Sequence, residues 1–267
     1  MIKIYAVDFE YDGIRLGNLG YLICRFNGGG LETVSNGSQI TFNKISMQRG
    51  NRWELASTEY TECLQATLQI CKNPCVVDDM YMSLQEISKL TSWLNRKDFH
   101  KLKFFADEYY DLYFEASFNV SRIELNNVPV GLELTMETKS PYALHDPEII
   151  NIKSDTTDWK KTIVSKSDDD GYIYPHMSIE VKSNGDLTIY NDLDDKTMQI
   201  KNCTSGEIIT IDYPIITSSI SEHKIQNDFN WKYFRIVNTF KTGRNNLSIS
   251  IPCKIEMTYS PIVKLGV

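Results

Sequence analysis

The chain has 267 residues, with 28 basic and 35 acidic side chains and a formal net charge of −7. Hydrophobic residues make up 42% of the chain and aromatic residues 11%, which excludes a disordered protein. The acidic balance argues against a protein that grips DNA or RNA, because such proteins cluster Lys and Arg against the phosphates. The length suits one large β domain or two domains of roughly 130 residues each.

The first half is predicted to be mainly β, with short strands in which apolar and polar residues alternate. Such segments occupy residues 2–7, 21–26, 39–42 and 52–55. One helix is predicted near residues 83–95, where Ser83 and Glu86 have the spacing of a capping box. Its apolar face, which we expect to pack on a sheet, is formed by Leu84, Ile87, Leu90 and Leu94, with Trp93 beside it.

A domain boundary is predicted near residue 145, where Pro141 and Pro147 favour irregular backbone. The predicted domains are therefore residues 1–145 and 146–267, and the last strand could return to the first domain. Residues 1–140 hold 14 basic and 18 acidic side chains, and the rest hold 14 and 17, so the charges are −4 and −3. Neither half resembles a nucleic-acid-binding arm.

The second half is predicted to contain strands joined as hairpins. One hairpin pairs residues 177–181 with 187–190 through Asn184-Gly185, a sequence typical of a tight type I′ turn. A second hairpin joins residues 198–200 to 207–212. A similar pair of strands is predicted near the end of the chain, over residues 246–251 and 253–259. Many short strands at this spacing favour a β-sandwich or a barrel.

No pattern of catalytic, cofactor-binding or metal-binding residues is present. The spacing of Cys71 and Cys75 is not that of a zinc or redox pair, and no His lies three to five residues from another His or a Cys. The acidic run ending at Gly171 places Lys166 at the first ligand position of a calcium loop. Hydrolase, phosphate-loop and dinucleotide motifs are also missing. We expect free thiols, no metal, no cofactor and no enzymatic activity.

The chain is expected to be soluble and made in a cytoplasm. Lys3 and Asp8 interrupt the start before the apolar core of a signal peptide could form. No segment approaches the roughly 18 apolar residues of a membrane helix.

Aromatic residues in the second half raise the possibility of a sugar site, because Trp and Tyr rings stack on pyranose rings. The residues concerned are Trp159, Tyr172, Tyr174, Tyr190, Trp231 and Tyr233. Burial in the core is the alternative, since aromatic side chains in strands bury large areas. Trp231 and Tyr174 are the candidates for stacking.

Several segments, in this order, resemble the distal tail (Dit) proteins of long-tailed, non-contractile phages. In the first half these are residues 9–14, 50–55, 91–96, 130–136 and 140–143. In the second half they are residues 174–179, 206–212 and 242–247. Each motif is weak alone, but the match covers nearly the whole chain.

The resemblance implies a structural role. It predicts an N-terminal ring-forming β domain with one helix and a C-terminal galectin-like β-sandwich. Six copies would form a ring at the tip of the virion tail, of a phage or a prophage, with the chain made in the host cytoplasm. The ring would join the tail tube protein to the baseplate hub or tail-associated lysin and let DNA pass, without binding it specifically and without a membrane partner.

Two further expectations concern surfaces. The loop of Asn27, Gly28, Gly29 and Gly30, with the stretch to Thr41, is a candidate contact between ring subunits; a simple flexible hairpin loop is the alternative. The alternative function is a carbohydrate-binding module that recognises host cell-wall glycans.

Overall fold

The computed structural model describes residues 6–26, 40–47, 52–157 and 159–265. It is mainly β, as predicted. The chain divides into two compact units: the second spans His145–Val263, and the first contains the preceding residues together with the end of the chain from Lys264.

The first unit is built on an antiparallel sheet. Its strands run in the order β2-β1-β7-β8-β9-β6-β3, β10 pairs with β8 beside this path, and β4 and β5 form a separate ribbon. The strands are β1 (Phe9–Tyr11), β2 (Ile14–Arg15), β3 (Tyr21–Cys24), β4 (Ile40–Ser46), β5 (Trp53–Tyr60), β6 (Gln65–Lys72), β7 (His100–Phe104), β8 (Leu112–Leu125), β9 (Val128–Thr138) and β10 (Ala143–His145).

Helix α1 (Leu84–Leu94) begins where the sequence predicts. The Ser83 hydroxyl accepts a hydrogen bond from the Glu86 amide, and the Glu86 carboxylate accepts one from the Ser83 amide, which completes the capping box. Its buried face contains Ile87, Leu90, Trp93 and Leu94. Leu84 is exposed, so its predicted place on the packed face was wrong: it occupies the first turn, before the helix meets the sheet.

Alternation along the long strands builds the core of the first unit. Every second residue from Leu112 to Phe118 in β8 is buried, and Leu134 of β9 is fully buried. The ring of Phe9 stacks on that of Trp93 at 5.9 Å between centroids, and the Trp93 indole donates to the Tyr11 carbonyl at 3.1 Å. Each such buried side chain contributes about 1.5–3 kcal/mol, so these contacts hold α1 on the sheet.

The second unit contains three sheets within the described part of the chain. A five-stranded sheet has the order β11-β21-β14-β17-β18, a four-stranded sheet has the order β12-β20-β15-β16, and β13 pairs with β19. The elements are β11 (Glu148–Ser154), β12 (Trp159–Val164), β13 (Gly171–Ile173), β14 (His176–Val181), β15 (Gly185–Asn191), β16 (Lys196–Cys203), β17 (Ile208–Asp212), β18 (Ile215–Ser218), α2 (Ile225–Asp228), β19 (Ile236–Asn238), β20 (Arg244–Ile249), β21 (Cys253–Tyr259) and β22 (Ile262–Val263).

The two larger sheets share one apolar core, which makes this unit a β-sandwich. Ile179 and Ile255 from the five-stranded sheet are fully buried in one cluster with Leu187 and Ile189 from the four-stranded sheet. The galectin-like character that the resemblance implies stays a prediction.

The predicted hairpins of the second half are wrong in their pairing, although their strands exist. β14 pairs with β17 and β21, whereas β15 pairs with β16 and β20, so the turn at Asn184-Gly185 passes from one sheet to the other. Of these two turn residues only Gly185 has a positive φ, of 141°, whereas a type I′ turn needs two. The links from β16 to β17 and from β20 to β21 cross between the sheets in the same way.

Candidate functional site

The β4–β5 hairpin, residues 40–46 and 53–60, is a surface feature of the first unit. Its two strands pair antiparallel from Ile40 opposite Tyr60 to Ser46 opposite Trp53, with a register shift at Asn43/Lys44. Among the described residues it pairs with no other strand. Two strands alone are marginally stable in water, so contacts beyond the ladder matter here.

One face of the hairpin is mainly polar, although it also carries the exposed Ile45. The Asn43 side-chain amide donates to Ser57 Oγ and to Glu59 Oε1, each at 3.0 Å. Near the other end of the hairpin, Arg52 donates from Nε to Glu54 Oε1 at 2.8 Å. These bonds satisfy the polar groups within the hairpin, so this face is suited to water.

The opposite face is exposed and carries large apolar side chains, with Lys44 between them opposite Leu55. Alternation along β4 and the observed register place four large side chains on it, namely Ile40, Phe42, Leu55 and Trp53. Phe42 is 56% exposed and Trp53 is 67% exposed. Contiguous exposed apolar surface of this kind is typical of an interaction site.

The predicted contact loop of Asn27, Gly28, Gly29 and Gly30 lies outside the described residues. The adjoining prediction, the stretch to Thr41, reaches the start of β4 at Ile40.

A second candidate lies in the second unit, where four loops surround a cleft of about 470 Å³. We call it the aromatic cleft; its lining residues are Tyr174, Asp194, Asp195, Lys196, Tyr213, Trp231, Lys232, Tyr233 and Arg235. Tyr174 follows β13, Asp194 lies between β15 and β16, Tyr213 lies between β17 and β18, and Trp231 lies before β19. Trp231 and Tyr174, far apart in sequence, therefore line the same cleft.

Tyrosine rings form one wall of the aromatic cleft. The rings of Tyr174 and Tyr213 stack in parallel, with 4.0 Å between centroids and 3° between planes. Tyr233 meets Tyr213 edge-on at 5.0 Å, and its hydroxyl donates to the Pro214 carbonyl at 2.6 Å. Burial, then the neighbouring Tyr172 and Tyr213 hydroxyls, raise the pKa of Tyr174, so its phenol is a neutral hydrogen-bond donor near pH 7.

Trp231 presents its indole at the edge of the cleft. The side chain is packed against Phe229 at 5.6 Å between ring centroids, and the residue is 57% exposed. Its φ of 57° lies in the left-handed region, which is uncommon for a bulky residue. The ring is therefore held at the surface by a backbone conformation that costs energy.

An ion pair fixes the polar side of the cleft. Arg235 Nε donates to Asp194 Oδ2 at 2.5 Å, and the guanidinium lies 4.1 Å from the centroid of the Tyr172 ring. Burial alone would lower the pKa of Arg235, but the hydrogen bond and charge of Asp194 raise it above its ordinary value, so the group stays charged. Asp194 is 6% exposed, and its Oδ1 accepts no hydrogen bond from the part of the chain that the structure describes.

Sequence reasoning missed Arg235, Asp194 and Tyr213. Charge and aromatic content are too common to single out these residues, and only folding brings the loops that carry them together. A buried Asp that pairs with an Arg has no local sequence signal.

Among the described residues, no group of three or more His, Cys, Asp or Glu residues is arranged to hold a metal ion, and all six cysteines are free. Across those same ranges no helix is both long and apolar enough to span a membrane.

Two family models that match this chain both describe domains of phage tail proteins. Residues 4–140 match a family model described as a phage tail protein N-terminal domain, and residues 142–259 match one described as a phage tail C-terminal domain. A comparison with curated protein sequences finds no match.

A solved structure has the same fold. The crystal structure of the SPP1 Dit protein (gp 19.1), described as a paradigm of the hub adsorption apparatus in phages that infect Gram-positive hosts, superposes with a TM-score of 0.64. The match covers 97% of this chain and 99% of that one at 10% sequence identity. The chain therefore belongs to a family of phage tail proteins, and it has the fold of a distal tail protein.

Proposed function

We propose that this protein is a non-enzymatic ring subunit at the tip of the virion tail. Six copies form the ring, which joins the tail tube to the baseplate hub or tail-associated lysin, and DNA passes through its centre. Membership of a phage tail family and the Dit fold support this proposal. The observation that carries the ring itself is the exposed apolar face of the β4–β5 hairpin.

That face argues for a partner because leaving it in water is unfavourable. Four large apolar side chains on a two-stranded ribbon gain little from the fold of their own chain. Burying a side chain of this size contributes about 1.5–3 kcal/mol. A neighbouring subunit that covers the face therefore stabilises both the hairpin and the assembly.

A second copy of this chain is the partner that fits a ring. In a ring each subunit presents one surface to the next and receives a different surface from the previous one, and rotation closes the set. The hairpin supplies the first of these surfaces.

The net charge fits passage of DNA. A chain with 35 acidic and 28 basic residues repels phosphate on balance, so a channel formed by it would not retain DNA. A channel lined mainly by Lys and Arg would contradict this part of the proposal.

Sedimentation of the purified protein tests the ring contact. We expect the wild-type chain to sediment as a closed oligomer, and the double substitution Phe42→Ser and Trp53→Ser to shift it towards the monomer. Removal of a central aromatic contact typically costs about 2 kcal/mol or more per interface. Circular dichroism should remain that of a folded, mainly β chain, with at most the loss of the hairpin strands, because both side chains lie outside the core.

The matched control is Tyr110→Ser, another exposed aromatic of the first unit outside the hairpin. It should leave the oligomer intact. An oligomer that survives the double substitution would show that the hairpin face is not the ring contact.

A further inference from the structure

We propose that the aromatic cleft binds one hexopyranose unit of a polysaccharide. This inference goes beyond the ring, since it concerns the second unit and needs no oligomer. The cleft of about 470 Å³ lies within the range of small-molecule sites, which is roughly 300–1,000 Å³. A pyranose ring needs two things from a site, a flat apolar surface for its C–H face and hydrogen-bond partners for its hydroxyls.

Trp231 supplies the flat surface. Its indole is held exposed at the edge of the cleft by a left-handed backbone conformation, and it packs against the ring of Phe229. Strained residues gather at binding sites, where the strain fixes a side chain before the ligand arrives. An aromatic ring fixed in this way loses little conformational freedom when a sugar stacks on it.

Charged side chains supply the hydrogen-bond partners. Asp195, Lys196 and Lys232 line the cleft together with the Asp194–Arg235 pair, so the lining contains both donors and acceptors. Sugar hydroxyls both donate and accept, and their bonds to charged groups are stronger than those to neutral groups.

Asp194 supports a ligand at the cleft independently of Trp231. Its carboxylate is buried at the cleft, and Oδ1 has no donor from the described residues. A buried acceptor without a partner is unfavourable. Because Oδ1 is covered, the carboxylate must reorient before a ligand hydroxyl can reach it, and the bond then formed would satisfy this acceptor in the bound state.

The charge of the cleft argues against a cationic ligand. Three basic residues, Lys196, Lys232 and Arg235, face two acidic ones, and the Arg235 guanidinium already lies over the Tyr172 ring. An aromatic cage for a quaternary ammonium group needs free ring faces and no resident cation. A sugar is therefore the occupant that the lining favours.

The test uses the full chain and a panel of glucose, galactose, rhamnose and N-acetylglucosamine with their short oligomers. Saturation-transfer NMR should show contact between protein and at least one sugar, and calorimetry should give its dissociation constant. Trp231→Ala should weaken that binding about tenfold or more, the equivalent of losing one ring-stacking contact. Trp231→Phe, which keeps a ring, should restore part of it, and Asp194→Asn should weaken binding while leaving the circular dichroism unchanged.

Phe240→Ala is the matched control, since Phe240 is an almost fully exposed aromatic of the second unit outside the cleft. It should leave sugar binding unchanged. The proposal is overturned if no sugar of the panel binds at about 10 mM, if Trp231→Ala binds as well as wild type, or if choline or a peptide competes for the cleft and sugars do not. A monomeric chain that still binds sugar would contradict the ring and leave this inference standing.

Discussion

At the residue scale, Glu207 shows how one buried charge orders a loop region of the second unit. Its carboxylate is fully buried and accepts hydrogen bonds from Ser218 Oγ at 2.5 Å and from the Thr204 amide at 2.9 Å. His223 Nδ1 lies 2.5 Å from the same carboxylate. Burial alone would raise the pKa of Glu207, but these partners together hold it below the ordinary value of 4.5.

Glu207→Gln should lower the free energy of unfolding at pH 7 by about 2–3 kcal/mol, because it leaves buried polar partners unsatisfied. Since the folded pKa of Glu207 is lowered, its stabilisation is present above pH 4.5 and is lost as the pH falls through the folded pKa. The difference between wild type and variant should therefore shrink in acid. Urea unfolding at pH 7 and at acidic pH measures it.

The matched control is Glu256→Gln, an exposed glutamate on β21. It should change the free energy of unfolding by less than about 0.5 kcal/mol. A Glu207→Gln variant as stable as this control at pH 7 would show that the buried network contributes nothing.

At the element scale, local features were predictable and pairing was not. Helix α1 follows from its capping residues and apolar period, which lie within a few residues of each other. The strands of the second unit follow from alternation, but alternation does not say which strand is the partner. The Asn184-Gly185 turn therefore suggested a hairpin. In the structure β14 and β15 lie in different sheets, and each sheet buries one face in the shared core of the sandwich.

The residues of the aromatic cleft were likewise only partly predictable from the sequence. Trp231 and Tyr174 stood out in sequence by residue type alone. Arg235 and Asp194 did not, since the 2.5 Å bond between them joins residues that lie 41 positions apart.

Ser83→Ala tests the element-scale account of α1. Loss of the cap should lower the free energy of unfolding by about 1 kcal/mol, because the Glu86 amide loses its acceptor. Ser88→Ala, within the exposed part of the same helix, is the control and should be neutral or slightly stabilising, since alanine favours helix. Equal effects of the two substitutions on chemical unfolding would contradict a role for the capping box.

At the scale of the whole molecule, the balance of charge predicts how the protein meets DNA. With a net charge of −7 shared almost equally by the two halves, we expect no retardation of duplex DNA in a gel at micromolar protein, even at low salt. Retardation that weakens as salt is added would show a basic surface on the assembled protein and would remove the argument for free passage.

The central claim is that copies of this chain close into a ring at the tail tip. Electron microscopy of the purified full-length protein over a range of concentrations tests it most directly. The account predicts class averages with six-fold symmetry, a central channel and a particle size that fits six chains of 30.7 kDa each. Single chains at every concentration, or open filaments in place of closed rings, would contradict it.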